Sequence, residues 1–101
     1  MTQRDIEFTT RDDDMELNEI LNVMHNSQIV FENCRFSLCT NKQFRNCNFV
    51  NCIFEHVTKE TYFTNCTFDA PTFYAGFYGK IDNCNITRYS GNIGNLPEKT
   101  K

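Results

Sequence analysis

The sequence predicts a mainly β fold, a small parallel β-helix (solenoid) with an α-helical cap at its N-terminal end. One observation is the segment FRNCNFVNCIF, Phe44 to Phe54, which repeats Asn-Cys-any-Phe at a step of five residues. Five is neither the period of a helix nor that of a strand. A second is a longer repeat of 18 or 19 residues, and a third is an apolar stripe of helical spacing near the N-terminus.

The longer repeat appears when the chain is cut before residues 44, 63 and 81. Its inward columns are Phe31, Phe49, Phe68 and Ile86; Phe36, Phe54, Phe73 and Gly91; Ile29, Cys47, Cys66 and Cys84; and Cys34, Cys52, Pro71 and Tyr89. A repeat of this length indicates stacked coils, with equivalent residues about 4.8 Å apart. We expect Phe ladders inside and small Cys residues between them. We also expect axial side-chain ladders in a polar column of Gln28, Asn46, Asn65 and Asn83.

The 101 residues form one domain of three parts. Residues 26–92 are predicted to form three to four coils, and residues 93–101 a tail. Residues 1–25 are predicted to form a strand and a capping helix, because Leu17, Ile20, Leu21 and Met24 make one apolar stripe. The strand is expected in DIEFTT, where Ile6, Phe8 and Thr10 alternate.

The motifs NCRF, NCNF, NCIF, NCTF and NCNI resemble those of pentapeptide-repeat proteins. The resemblance covers roughly residues 27–90 and implies a right-handed, four-sided β-helix. Central inward residues would be Phe31, Phe36, Phe44, Phe49, Phe54, Phe63, Phe68, Phe73, Ile81 and Ile86, and small inward residues Cys34, Cys39, Cys47, Cys52, Cys66 and Cys84. Such proteins often dimerise through their C-terminal ends, and the uncapped end here is consistent with a homodimer.

The six cysteines are interpreted as core filler. Their spacings of five, eight, five, 14 and 18 residues lack the C-x2-C pairs of zinc sites. Disulfides within a column have a plausible Cα separation, but parallel neighbours are poorly aimed. Metal binding and disulfides remain the alternatives, and no metal or cofactor is expected.

Neither catalysis nor nucleic-acid binding is indicated. His25 and His56 have no nucleophile and acid at a recognisable spacing, and the net charge of −3 argues against direct nucleic-acid contact. The polar N-terminus lacks a signal sequence, and no run of about 18 apolar residues predicts a membrane span. We expect a cytoplasmic protein that is not an enzyme.

Two segments are candidates for binding another protein. In TFYAGFYGK, Thr72 to Lys80, two glycines permit a bulge that would expose the aromatic residues Tyr74, Phe77 and Tyr78. Alternatively, these rings pack against the C-terminal segment. The acidic residues Asp12, Asp13, Asp14, Glu16 and Glu19 could contact a basic partner, or form a solvated helix start.

The sequence therefore favours a protein-binding module. Known pentapeptide-repeat proteins include acidic, DNA-shaped rods that bind type II topoisomerases, so the resemblance permits a DNA mimic. Small size and acidity suit a phage-encoded inhibitor of a host defence or nucleic-acid enzyme. The alternative is a structural or assembly module that associates through its solenoid end.

Overall fold

The chain forms a parallel β-solenoid of about three turns. The computed structural model describes residues 2–8, 21, 28–88 and 90–91. Phe31 pairs with Phe49, and Phe49 with Phe68, so successive coils are offset by 18 and 19 residues. The predicted solenoid and its repeat length are confirmed.

Three parallel sheets make the walls of the solenoid. Sheet A contains β1 (Thr2–Arg4), β3 (Ile29–Glu32), β6 (Cys47–Val50), β9 (Thr67–Asp69) and β12 (Asn85–Thr87). Sheet B contains β2 (Glu7–Phe8), β4 (Arg35–Cys39), β7 (Ile53–Val57), β10 (Thr72–Phe77) and β13 (Ser90–Gly91). Sheet C contains β5 (Gln43–Arg45), β8 (Tyr62–Thr64) and β11 (Lys80–Asp82).

The chain passes from sheet A to B to C in each coil, so the described walls number three rather than the four that the resemblance implies. Sheet B replaces the missing wall, because its longer strands each present two inward residues. In β4 these are Phe36 and Cys39, and in β7 they are Phe54 and Val57. Because sheet B supplies two inward positions in each coil, the coil is shorter than one with four walls.

The core consists mainly of phenylalanine. All ten Phe residues of the chain are buried. Rings in one column stack, as Phe36 does on Phe54 with centroids 4.9 Å apart and planes 4° from parallel. Rings in neighbouring columns meet edge to face, as Phe36 and Phe44 do at 5.9 Å and 90°. Both geometries are favourable for aromatic pairs, and the predicted Phe ladders are confirmed.

The corners explain why asparagine recurs. Nine described non-glycine residues have a positive φ of 53–59°: Asp5, Asn33, Asn41, Asn46, Asn51, Asn65, Ala70, Asn83 and Arg88. Asparagine adopts this left-handed conformation at lower cost than most residues. The amides also bond between coils, since Asn51 Nδ2 donates to Asn33 Oδ1 at 3.4 Å and Asn83 Nδ2 donates to Asn65 Oδ1. In the predicted polar column the bond between Asn83 and Asn65 is present, while the bond between Asn51 and Asn33 lies in a second column. The turn conformation is an additional reason for the residue.

The N-terminal residues lie alongside the first repeated coil and extend the solenoid. The predicted strand is present as β2, in which Phe8 pairs with Phe36. Before it, β1 pairs with β3, with Gln3 beside Phe31. Asp5 turns the corner between them at φ 56°. Residues 2–8 are therefore a further partial coil, which the sequence repeat did not reveal.

The predicted N-terminal α-helical cap is not supported. The elements of the described chain are all strands, and the predicted helix at residues 13–25 lies outside the described residues except for Leu21, which packs partly buried against the core. The first coil of sheets A and B is instead covered by β1 and β2, whose Phe8 ring stacks on Phe36 at 5.2 Å. Among the described residues, none lies in a helix long and apolar enough to cross a membrane.

Candidate functional site

The segment Thr72–Lys80 forms the predicted bulge. Phe73 pairs with Phe54 and Gly76 with His56, so the register between β7 and β10 shifts by one residue. Tyr74 and Ala75 therefore stand where β7 has only Glu55. A bulge of this kind bends a strand and re-aims its side chains.

Both glycines of the bulge are required by space. A Cβ on Gly76 would lie 2.8 Å from the carbonyl oxygen of Glu55 and 2.7 Å from Nδ1 of His56. A Cβ on Gly79 would lie 2.8 Å from the ring of Phe63 and 3.0 Å from Val57. Side chains at these positions would collide with the coil beneath, so the close approach depends on glycine.

The bulge separates the three predicted aromatic residues. Tyr74 and Tyr78 are 44% and 55% exposed, as the exposed-patch interpretation expects. Phe77 is only 1% exposed and stacks on Phe63 at 5.7 Å, so its assignment to an exposed patch is wrong. The extra residue of the bulge moves the second inward position of β10 from residue 76 to residue 77.

A third exposed tyrosine was missed by the sequence analysis. Tyr62 in β8 is 47% exposed and pairs with Gln43 on one side and Lys80 on the other. It directly precedes the inward Phe63, so strand alternation could have placed it outside. Tyr62, Tyr74 and Tyr78 are the exposed large apolar side chains of the described chain. They lie on β8 of sheet C, on β10 of sheet B and directly after β10, and we refer to the three together as the tyrosine surface.

The charged side chains of the described residues balance one another. Opposite Tyr74, Arg35 Nη2 pairs with a carboxylate oxygen of Glu55, and this hydrogen bond raises the pKa of Arg35. The described ranges hold as many acidic as basic side chains, so the net charge of −3 belongs to the rest of the chain. The tyrosine surface therefore differs from the rest of the described exterior by its exposed aromatic side chains and not by an excess of charge.

The predicted acidic candidates cannot be placed relative to these tyrosines. Asp12, Asp13, Asp14, Glu16 and Glu19 lie outside the described residues, as does His25. His56 is exposed, with its Nδ1 facing Gly76. Among the predicted contact residues, the structure exposes Tyr74 and Tyr78, both on the segment Thr72–Lys80.

The six cysteines are buried thiols without disulfides. Cys34 stacks with Cys52, and Cys47, Cys66 and Cys84 follow one another in a second column. Their predicted role as small inward residues is confirmed by this burial. Within the described ranges, no three or more metal-ligating side chains converge.

Stacking alters the acidity of these thiols. Hydrogen bonding between the thiols lowers the pKa of Cys34 to about 7 and raises the pKa of Cys52. Hydrogen bonding with Cys47, together with burial, raises the pKa of Cys66 to about 12. The pKa of Cys84 is raised by its hydrogen bond with Cys66 and by burial. The thiols of Cys52, Cys66 and Cys84 therefore stay protonated at neutral pH.

Comparison of the chain with protein-family models gives no match. Comparisons with curated proteins and with solved structures also give none.

Proposed function

We propose that this protein is a non-enzymatic binding module that contacts another protein through the tyrosine surface. The observation that carries the proposal is the exposure of Tyr62, Tyr74 and Tyr78 on a solenoid that buries every phenylalanine. Tyrosine is enriched at binding hot spots, because its ring offers a large contact area and its hydroxyl tolerates water. Strands β8 and β10 fix the backbone of Tyr62 and Tyr74, which would lower the ordering cost of binding.

The more specific proposal is an inhibitor of a host nucleic-acid-acting or defence enzyme, of the kind that phages encode. Its six unbridged thiols suit a reducing compartment such as the cytoplasm. The balanced charge of the described faces supports an aromatic contact. A DNA-mimic contact would instead have to use Asp12, Asp13, Asp14, Glu16 and Glu19. The described walls number three and not four, but the resemblance to pentapeptide-repeat proteins still supports a right-handed coil.

The test is an affinity pull-down of the tagged protein from a bacterial lysate, with mass spectrometry to identify the bound protein. The affinity of the purified pair is then measured for Tyr74→Ala, Tyr78→Ala and the double variant. We expect each single change to weaken binding at least about tenfold, as truncation of a hot-spot tyrosine does. Circular dichroism verifies that each variant keeps its β structure.

The matched control removes apolar side chains from another wall. Val30 and Val50 lie on sheet A and are only partly buried, so Val30→Ala with Val50→Ala should leave binding unchanged. Equal loss of binding in both double variants would contradict a localised tyrosine contact. If the tyrosine changes leave the affinity unchanged, the tyrosine surface is not the contact with the partner.

A second candidate function is a structural module that associates through its C-terminal end. Within the described chain, β11 and β12 are edge strands, each with a neighbour on one side only. Unpaired strand edges are templates for pairing with another chain. A homodimer joined at this end would continue the sheets across two copies.

Light scattering over a range of protein concentrations separates the two candidates. A defined mass that does not change with concentration, together with one dominant partner in the pull-down, supports the binding module. Growth of mass with concentration supports the structural module. Ile81→Lys in β11 should then abolish the growth, because Ile81 is partly buried at that end.

A further inference from the structure

The outward face of sheet C carries cations that no described carboxylate neutralises. The three ion pairs of the described chain all lie on sheets A and B or at the corner between them. They join Arg4 to Glu32, Arg35 to Glu55, and Arg88 to Asp69. On sheet C, neither Arg45 nor Lys80 forms an ion pair with a carboxylate of the described residues. The described charges are therefore balanced in number but not in pairing.

The two cations of sheet C flank one of the exposed tyrosines. Gln43 pairs in register with Tyr62, and Tyr62 with Lys80, so the three side chains follow one another at the strand spacing of about 4.8 Å. All three are exposed. Arg45 lies on the same face of the same strand as Gln43, and its Nη2 donates to Gln43 Oε1 at 2.9 Å. Tyr62 thus has a guanidinium on one side and an ammonium on the other.

Tyr78 extends this face at the corner before β11. It lies two residues before Lys80 and is 55% exposed. Its backbone N–H donates to the carbonyl oxygen of Val57 at 2.7 Å, which fixes its position on the neighbouring coil. Lys80 therefore stands next to Tyr62 across the sheet and close to Tyr78 along the chain.

We propose that the outward face of sheet C binds an extended acidic segment of the partner protein, with an apolar side chain against Tyr62 and a carboxylate toward each cation. The inference rests on the proposed binding by the tyrosine surface and names the chemistry of the partner. The argument is charge complementarity. Arg45 presents a planar guanidinium that can donate two parallel hydrogen bonds to one carboxylate. Lys80 presents a flexible ammonium.

The spacing of the face suits acids that are four residues apart. Gln43, which holds the Arg45 guanidinium, and Lys80 are separated by two strand spacings, about 10 Å. In an extended segment, alternate side chains point the same way, and the first and fifth residues are about 13 Å apart. The long side chains of Arg45 and Lys80 can cover the difference. The third residue of the segment would then face Tyr62.

A protein segment suits this face better than a nucleic acid does. Affinity for a phosphate backbone grows with the number of phosphates that cations neutralise, and this face offers two cations with the exposed Asp82 in the same row as Arg45. Lys59 and Glu60 at the preceding corner cancel one another. The net charge of −3 also repels a long polyanion. Two carboxylates need only the two cations that are present.

The experiment titrates the purified full chain with a capped peptide, Ser-Glu-Thr-Leu-Thr-Glu-Ser, and with the same peptide carrying Gln in place of both Glu. Two-dimensional NMR measures weak affinities and locates the shifted amides. We expect the acidic peptide to bind at least about fivefold more tightly at low salt. The shifts should fall in β5, β8 and β11, and the preference should shrink as salt screens the charges.

Variants that each remove one cation test the two flanking positions. Arg45→Gln and Lys80→Gln should each weaken the acidic peptide about threefold and leave the Gln peptide unchanged. Tyr62→Ala should weaken both peptides. Arg4→Gln is the matched control, because it removes the same charge from sheet A, and it should bind as the natural protein does. Circular dichroism verifies that each variant is folded.

Three results would overturn the inference. One is equal affinity for the acidic and Gln peptides, and another is equal loss of affinity in Arg4→Gln and Lys80→Gln, which would indicate overall charge. The third is tighter binding of a ten-nucleotide oligothymidylate than of the acidic peptide, which would assign the face to nucleic acid. The partner from the pull-down separates this inference from the proposed function. If Tyr74→Ala and Tyr78→Ala weaken that partner but Lys80→Gln does not, the tyrosine contact stands and the acidic-segment inference fails.

Discussion

At the scale of the residue, left-handed corners set the amino-acid choice. Asn33, Asn51, Ala70 and Arg88 occupy equivalent corners between sheets A and B, each with φ between 53 and 58°. Asparagine suits this conformation, and its amide can bond to the next coil. Ala70 and Arg88 fill the same corner, although neither residue type suits the left-handed conformation as asparagine does. At these two corners the chain therefore lacks the residue type that suits the left-handed conformation best.

Ala70→Asn should stabilise the protein. The change relieves part of the cost of about 1–2 kcal/mol that L-residues pay in the left-handed region, so we expect a gain of about 0.5–1 kcal/mol. It also places an amide next to Asn51 in the corner column. Urea unfolding monitored by circular dichroism measures the gain. Ala70→Val is the control and should destabilise, because a β-branched residue resists a positive φ.

Asp69 should make stability depend on pH in the acid range. A hydrogen bond from Arg88 lowers the pKa of Asp69 below its ordinary value of 3.8. The stabilisation is therefore complete above the unfolded pKa and is lost as the pH falls through the lower, folded pKa. The carboxylate is partly exposed, so the effect is modest.

The variant Asp69→Asn tests whether the Asp69 carboxylate makes stability depend on pH. We expect the variant to be less stable than the natural protein at neutral pH and to approach it as the pH falls below 3.8. Thermal unfolding at several pH values gives the comparison. A constant difference at all pH values would show that the carboxylate charge is not involved.

At the scale of the element, the repeated strands were predictable, and the irregular ones were predictable only in part. The Phe columns could be predicted because the same residue type recurs at every coil. The coil of residues 2–8 escaped detection because Gln3 and Ile6 stand where later coils have Phe and Cys. Phe77 was misplaced because one extra residue in β10 changes which side chains point inward. Insertions of one residue alter alternation without leaving a compositional signal.

Gly79→Ala tests the close approach at the end of the bulge. The added methyl would press on Phe63 and Val57, and overpacking of this kind costs about 1–3 kcal/mol. Urea unfolding measures the loss. The neighbouring exposed change Tyr78→Ala should stay within about 0.5 kcal/mol of the natural protein. Equal effects of the two changes would contradict the packing argument.

At the scale of the whole molecule, each coil is stabilised by its immediate neighbours. Sheet order follows coil order, so a central coil has a partner on both sides and a terminal coil on one. In such a quasi-one-dimensional array, stability is roughly a sum of coil and interface contributions. The two-residue strands β2 and β13 lie in the two terminal coils, and we expect these coils to open first.

Native-state hydrogen exchange should reveal this gradient. Amides of β6 and β7, in the middle coil, should exchange most slowly, while those of β1, β2, β12 and β13, at the sheet edges, should exchange fastest. Mass spectrometry of peptides from the exchanged protein resolves these segments. Uniform protection from residue 2 to residue 88 would show that the solenoid opens as one cooperative unit.

The division of aromatic residues between interior and surface gives the molecule two independent optical reporters. Every phenylalanine is in the core, the described tyrosines are outside it, and the chain has no tryptophan. The phenylalanine fine structure in near-ultraviolet circular dichroism therefore reads the interior alone. The fluorescence of Tyr62, Tyr74 and Tyr78 reads the exterior. A titration with a partner that changes the emission while leaving the fine structure intact would follow association without any attached label.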